Sequence, residues 1–233
     1  MNIEDTPNHR TRVAARRRAS TRARLLESAL LVFARKGAHA AIDDVIVQAG
    51  MARGTFYNYF GTNDELLGEL ASEINNELLR AIDPVVQCSG DPAERIASGA
   101  RLLLHTVMRF PLLGAFMARL PFPTANSSLL GLRFMARDVA LGIAAKRFHD
   151  INQRVAADLV IGVVLSAAYA VAREPLDAGY PDASVRALLR ALGLARREAA
   201  RLVALPLPAF ELPLDSILRR TQVFPGRGGV DLL

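Results

Sequence analysis

Between Ile42 and Leu66 the apolar positions recur at helical rather than strand spacing. Ile42, Val45, Ile46 and Ala49 fall at i, i+3, i+4 and i+7, which lays them along one stripe of a helix. Gly50 follows, and a glycine takes the left-handed backbone conformation at little cost, so a sharp turn is expected there. A second helix from about Arg53 to Phe60 then puts Phe56 and Phe60 on one edge. Gly54, Thr55 and Asn58 point away from that edge, and Tyr57 and Tyr59 lie on the flanks. Two short helices joined by a tight turn form a helix-turn-helix. The outward face of the second is polar yet uncharged, and amide, hydroxyl and phenol groups suit base edges and phosphate oxygens.

The same pattern organises the rest of the chain. Leu26, Ala29, Leu30 and Phe33 form a stripe on a helix expected from Ser20 or Thr21 to Lys36, with Gly37 as its stop. Residues 1–18 lack apolar periodicity and are expected to form a mobile arm. Thr62 with Glu65 three residues later is a capping-box signature. It opens a long helix expected to run through about Ile82 and to end at Asp83-Pro84. From Asp91 to Leu205, breaks at Pro111, Pro121 to Pro123, Phe148 to Ile151 and Pro175 to Pro181 divide the chain into five or six helices. Strand-like alternation and repeats of fixed period are absent from the sequence, so the expected fold class is all-α. After Pro206, the prolines at 208, 213 and 225 with Gly226, Gly228 and Gly229 leave room for a short helix near Leu214 to Gln222 and a loose tail. The expected organisation is a basic arm (1–18), a three-helix DNA-binding domain (19–66), a larger helical regulatory and dimerisation domain (67–205) and a Pro/Gly-rich C-terminal tail (206–233).

Charge sharpens this picture. The 233 residues carry a formal net charge of +6, and half are hydrophobic, enough for a sizeable core. Residues 1–24 hold seven arginines against Glu4 and Asp5, so nearly all of the excess lies at this end. Arginine neutralises phosphate and releases condensed counterions, which implies an acidic partner there. Arg16, Arg17, Arg18 and Arg22 are candidates for minor-groove contacts beside the main one. A single cysteine, Cys88, excludes an internal disulfide, and no Cys/His spacing has a metal-site pattern. No signal-peptide pattern follows the arginines, so a cytoplasmic location is expected. The longest uncharged apolar run, Leu159 to Ala172, is shorter than the roughly 20 residues of a membrane span and is expected to be buried inside protein. The four histidines are scattered, and no nucleophile elbow, H-E-x-x-H pair or phosphate loop is present, which argues against an enzyme and against a bound cofactor.

The run from Ala49 to Phe60, AGMARGTFYNYF, followed by Asp64-Glu65-Leu66, resembles the DNA-binding domain of TetR-family transcriptional regulators over roughly residues 20 to 70. That resemblance implies DNA contacts from Arg53, Gly54, Thr55, Tyr57, Asn58 and Tyr59, with Phe56 and Phe60 structural. It also implies a helical regulatory domain behind the head. Three positions depart from the pattern: Ala41 and Ala52 stand where many members have a Ser or Thr cap, and Asn63 where they have Lys. A missing hydroxyl cap costs about 0.5–2 kcal/mol.

Two stripes in the larger domain have the character of an interface. Val155, Leu159, Gly162, Ser166 and Tyr169 share one helical face, and Val185, Leu188, Leu189 and Leu192 another. Periodicity alone fits a partner subunit or the monomer's own core equally well. In TetR-like proteins the last two helices usually pair across a two-fold axis, which would present two heads to a palindromic site. His105, Met108, Phe116, Met117, Phe134, Asp138 and Tyr169, with Arg109, Met135 and Arg137, interrupt the apolar helices and are candidates for an effector pocket. The expected function is a dimeric, sequence-specific regulator of transcription on double-stranded DNA, a repressor released by a small organic molecule. The alternatives are a DNA-binding protein controlled by no small molecule, or a helical interaction module that has lost specific DNA binding.

Overall fold

The computed structural model describes residues 9–119, 130–149 and 151–222, and every regular element among them is a helix. The head consists of α1 (His9–Lys36), α2 (Ile42–Ala49) and α3 (Arg53–Tyr57). A long helix, α4 (Asn63–Val86), leads from it into a body made of α5 (Pro92–Arg109), α6 (Pro111–Arg119), α7 (Leu130–Ala144), α8 (Gln153–Arg173), α9 (Tyr180–Ala191) and α10 (Arg196–Ala204). A last short helix, α11 (Ile217–Gln222), returns to pack on α1 and α6.

The head core is the one its stripes predict. Leu26, Ala29, Leu30 and Phe33 of α1 are buried with Val45, Ile46 and Ala49 of α2 and with Phe56 and Phe60. Gly50 turns the chain at φ 59°, in the left-handed region, and its N–H reaches the carbonyls of Ile46 and Val47. Neither Ala41 nor Ala52 makes a side-chain cap bond. Thr62 does cap α4: its hydroxyl accepts from Glu65 N–H at 3.1 Å, and the Glu65 carboxylate accepts from Gly61 N–H at 2.7 Å. In the body α5 is central, packing against α4, α7, α8, α9 and α10, while α6 bridges α8 and the head helix α1.

Several boundaries differ from the sequence expectation. The arm is not a mobile coil over 9–18, because α1 starts at His9 rather than at Ser20 or Thr21. Arginine and alanine favour helix intrinsically, so HRTRVAARRRAS extends α1 without burying a face. Missing periodicity reports missing packing there. Residues 1–8 of the expected arm lie outside the described residues. The recognition helix closes at Tyr57, and Asn58 to Phe60 continue as a turn with Phe60 N–H on Phe56 O at 3.1 Å.

Pro84 does not end α4, which runs two residues further to Val86, one turn past the expected end at Ile82. A proline near a helix end forfeits only one backbone bond, and burial of Ile82 and Val86 against Leu102 holds the last turn. Pro181 likewise sits within the first turn of α9 instead of before it, where its missing N–H has no intrahelical partner to lose. The expected break at Pro121 to Pro123 and the tail from residue 223 lie outside the described residues. The short terminal helix starts at Ile217, three residues later than expected.

One ion cluster joins the far end of the body. Arg147, just after α7, donates to Asp91, the cap of α5, at 2.6 Å and to Glu198 of α10 at 2.8 Å. Arg201 also donates to Glu198, at 2.9 Å. The Arg201 and Arg147 bonds hold the Glu198 carboxyl down to about 2 from its ordinary 4.5. A depressed pKa gives stability that is present above the unfolded value and is lost as pH falls through the folded one. Glu198→Gln is therefore expected to lower the melting temperature at pH 6, and the difference from the wild type to shrink as pH falls below about 4.5 toward about 2. Thermal melts across that range check this, and a difference that stays constant with pH would contradict it.

Candidate nucleic-acid interface and effector cavity

The residues the sequence assigns to DNA contact come together on one side of the head. Arg53, Gly54, Tyr57 and Asn58 are exposed, and a Cβ placed on Gly54 would meet no atom within 4 Å. Thr55 and Tyr59 are half-buried. Arg53 pairs with Asp43 of α2 at 3.5 Å, and a hydrogen bond with Tyr57, then the Asp43 charge, raise its pKa. These contacts orient the guanidinium. The Arg18 guanidinium lies 5.7 Å from the Tyr59 ring centroid, so the extension of α1 reaches the end of the recognition segment. Arg10, Arg17 and Arg18, with Thr21 and Tyr59, line an open groove between them. Arg16 is exposed as well.

Arg22 departs from its expected role. It pairs with Glu69 at 2.6 Å and Glu73 at 3.5 Å, fastening α1 to α4. Asn63, which departs from the Lys that the resemblance associates with a phosphate contact, donates to Ala38 O at 2.9 Å and ties the start of α4 to the α1–α2 loop. Lys36 and Asp44, 2.6 Å apart, add a further brace.

In the body, a cavity of about 50 Å³ lies between α4, α5, α7 and α8. Its wall is apolar except for Asp83, Arg95 and Asp138. Asp138, only 5 % exposed, is 3.6 Å from Arg95 and 3.1 Å from Arg137. Arg137 spans to Asp83 of α4 at 2.7 Å and lies 5.1 Å over the Phe134 ring. The hydrogen bonds that Arg137 donates to Asp138 and Asp83 raise its pKa, so the cation persists despite partial burial.

Of the pocket candidates, Phe134 and Asp138 line this cavity, together with Met135. His105, Met108, Phe116, Met117 and Tyr169 do not. His105 stands 3.4 Å from Asp182 of α9 beside the buried Arg101, Phe116 is core, and Met108 and Met117 are half-buried away from the cavity. Tyr169 lies beneath the Arg173 guanidinium, 5.3 Å from it. The cavity occupies the Arg95 half of α5, whereas those candidates cluster around its other end. Sequence reasoning missed Arg95 and Asp83; the available signal was charge on otherwise apolar stripes.

The interface candidates also divide. Val185, Leu188, Leu189 and Leu192 are at most 1 % exposed within one chain, so that stripe faces the monomer core and is not free for a partner. On α8, Val155, Gly162 and Ser166 are exposed, Leu159 is half-buried, and a Cβ on Gly162 would meet nothing within 4 Å. By length and composition α8 could cross a membrane, yet only 28 % of its apolar window is buried, against the expectation of a buried helix. Among the described residues, no group of three or more His, Cys, Asp or Glu is arranged to hold a metal ion.

A helix-turn-helix with a basic flank, carried on a separate helical body that holds a charged cavity, defines a DNA-binding regulator. Two family models agree: residues 25–70 match that of bacterial regulatory proteins of the tetR family, and residues 91–204 that of the tetracyclin repressor-like C-terminal domain. The chain belongs to the TetR family of transcriptional regulators. It is similar to the solved structure of RolR in complex with resorcinol, at 27 % identity and TM-score 0.66, covering 84 % of this chain and all of that one. FadR from Bacillus subtilis in complex with stearoyl-CoA shares the fold at 17 % identity and TM-score 0.62, over 72 % of this chain and 96 % of its own. The uncharacterized HTH-type transcriptional regulator YdgC of Bacillus subtilis (strain 168) is 25 % identical over 91 residues, which span 39 % of this chain and 47 % of that relative.

Arg17 and Arg22 are expected to behave differently on DNA. Losing one phosphate contact lowers the slope of log K against log salt by about 0.9. Arg17→Ala should show that loss, and Arg22→Ala should leave the slope unchanged while lowering thermal stability. Gel shifts against salt and parallel melts check both; equal slopes for Arg17→Ala and wild type would remove the α1 extension from the interface.

Proposed function

We propose that the protein is a cytoplasmic, homodimeric repressor that leaves a palindromic operator when a small hydroxylated aromatic molecule enters the cavity beside Asp138. One observation carries this proposal. The three polar residues of the cavity wall, Arg95, Asp138 and Asp83, belong to a chain of charges, Arg95–Asp138–Arg137–Asp83, that runs from α5 through α7 to α4. The other end of α4 is capped beside the recognition segment. Asp138 offers an acceptor for a hydroxyl donor, and Phe134 a ring face, within an otherwise apolar wall. RolR, bound to resorcinol, supports this ligand class. A cavity of about 50 Å³ holds only a few waters, so such a molecule enters by parting α4 from α7. The effector thus favours an arrangement with a displaced α4, and weakens DNA binding by its preference for that arrangement. The uncovered α8 face, with Val155, Gly162 and Ser166, suits close helix pairing across a two-fold axis. Because Asp138 already has two cationic neighbours, the competing reading is a purely structural network in a constitutive DNA-binding protein.

Selection from a random DNA pool at near-physiological salt tests the DNA half of the proposal. Wild type is expected to enrich a palindrome, and the Tyr57→Ala, Asn58→Ala double variant to enrich none. Enrichment without two-fold symmetry would refute the dimeric mode. The effector half is tested by titrating resorcinol and other dihydric phenols into the operator complex. Release is expected for wild type, with Asp138→Asn needing at least about tenfold more ligand, the loss of one charge-assisted hydrogen bond. Failure of every phenol to release wild type rejects this ligand class.

A further inference from the structure

The chain beyond α10 does not trail away from the body. Leu212, Ile217 and Leu218 are all buried, and α11 packs on both α1 and α6. Its first turn is held by a single carboxylate from the middle of α4. Glu77 accepts from the Ser216 hydroxyl at 2.9 Å and from the Ile217 N–H at 3.0 Å. It thereby satisfies an N–H that the start of a helix otherwise leaves unpaired. Ser216 is itself buried. Farther along, Arg220 pairs with Glu27 of α1 at 2.9 Å, and Arg219 donates to Leu212 O at 2.8 Å, folding the segment onto itself. Burial pushes the Glu77 carboxyl upward in pKa, and the Ile217 and Ser216 bonds oppose that shift. Stripped of those donors, the half-buried carboxylate would be a poorly compensated charge.

The location of these contacts gives them their meaning. The matched regulatory region stops at residue 204, so all of them lie beyond it. They touch α1 in the head, α6 in the body and α4, which belongs to both. Otherwise the head is joined to the body through α4 and through the packing of α1 on α6. We infer that residues 206–222 form a strap that fixes the angle of the DNA-binding head against the body, with Glu77 as the positioning residue that catches it. Rotation of the head would draw Ile217 and Leu218 out of their packing and part Glu77 from its donors, so the docked strap opposes rotation. DNA binding then starts from an ensemble already enriched in one head orientation, which raises apparent affinity by the fraction so held.

The test needs a distance and an affinity. Cys88, the single cysteine, is exposed in the body, and Val47, 78 % exposed, lies on α2 of the head. Val47→Cys beside Cys88 accepts a spin label on each part, and pulsed dipolar spectroscopy on labelled chains diluted with unlabelled ones gives their separation. The strap is released by Leu218→Asp, which places a charge at a position 1 % exposed, or by Glu77→Ala. With the strap docked the distance distribution is expected to be narrow. Either release should broaden it and weaken binding to the pool-selected operator about tenfold at constant salt. Circular dichroism identifies a variant that has unfolded, in which case the other decides. An unchanged distribution, broadening without loss of affinity, or loss of affinity without broadening would each overturn the strap. The affinity readout rests on the operator reading above; if wild type enriches no operator, that reading fails and the distance distribution alone decides the strap.

Discussion

Everything in this molecule depends on one apolar stripe. Leu66, Leu70, Ile74, Leu78, Ile82 and Val86 are all buried on α4 at a strict spacing of four. A helix advances about 100° per residue, so each step of four carries the stripe about 40° around the axis, and five steps carry it about 200°. The same helix therefore buries one side near the head and nearly the opposite side in the body. Leu66 and Leu70 belong to the large core that includes Phe33 and Phe56, whereas Ile82 and Val86 pack with Leu102 of α5. Spanning about 36 Å, α4 is covered on each side by a different domain and cannot move in one without pulling on the other.

Charge is divided in a complementary way. Within the body, arginines meet carboxylates: Arg101 with Asp182, Arg137 with Asp83 and Asp138, Arg147 with Asp91 and Glu198. These pairs are partly shielded from solvent and act as joints between helices far apart in sequence. The exposed arginines of the α1 extension stand away from this compensation, beside the recognition segment. The basic character of the chain is thus concentrated where phosphate is the natural counterion. The cavity network is the exception in kind, because its charges line a void as well as a joint.

Local order was legible wherever it makes its own core. The α2 stripe, Gly50 and the Phe56/Phe60 pair have the same meaning in sequence and in structure, since each acts within a few residues. The capping pair Thr62 and Glu65 was legible for the same reason. Periodicity failed in two instructive ways. It did not reveal the helix over residues 9–18, because helix propensity needs no buried face. It identified the Val185 to Leu192 stripe as apolar but could not say which neighbour covers it, and that neighbour is the monomer's own core. The cavity was the least legible part. His105 and Met117 have the right chemistry at the wrong end of α5 and α6, and Asp83, which the sequence marks as a helix stop, faces Arg137. Such pairings depend on which turns of packed helices come level, information that no single helix contains.

The unpacked start of α1 has a consequence of scale. From His9 to Ser20 the helix rises about 18 Å past the part of α1 that builds the head core. Duplex DNA advances about 3.4 Å per base pair, so the same length measured along a double helix is about five base pairs. In the proposed DNA-bound state a rod of that reach would act as a ruler. It would extend the stretch of DNA shielded by each head past the bases facing α3, and so set how closely a neighbouring protein can be seated on the same duplex.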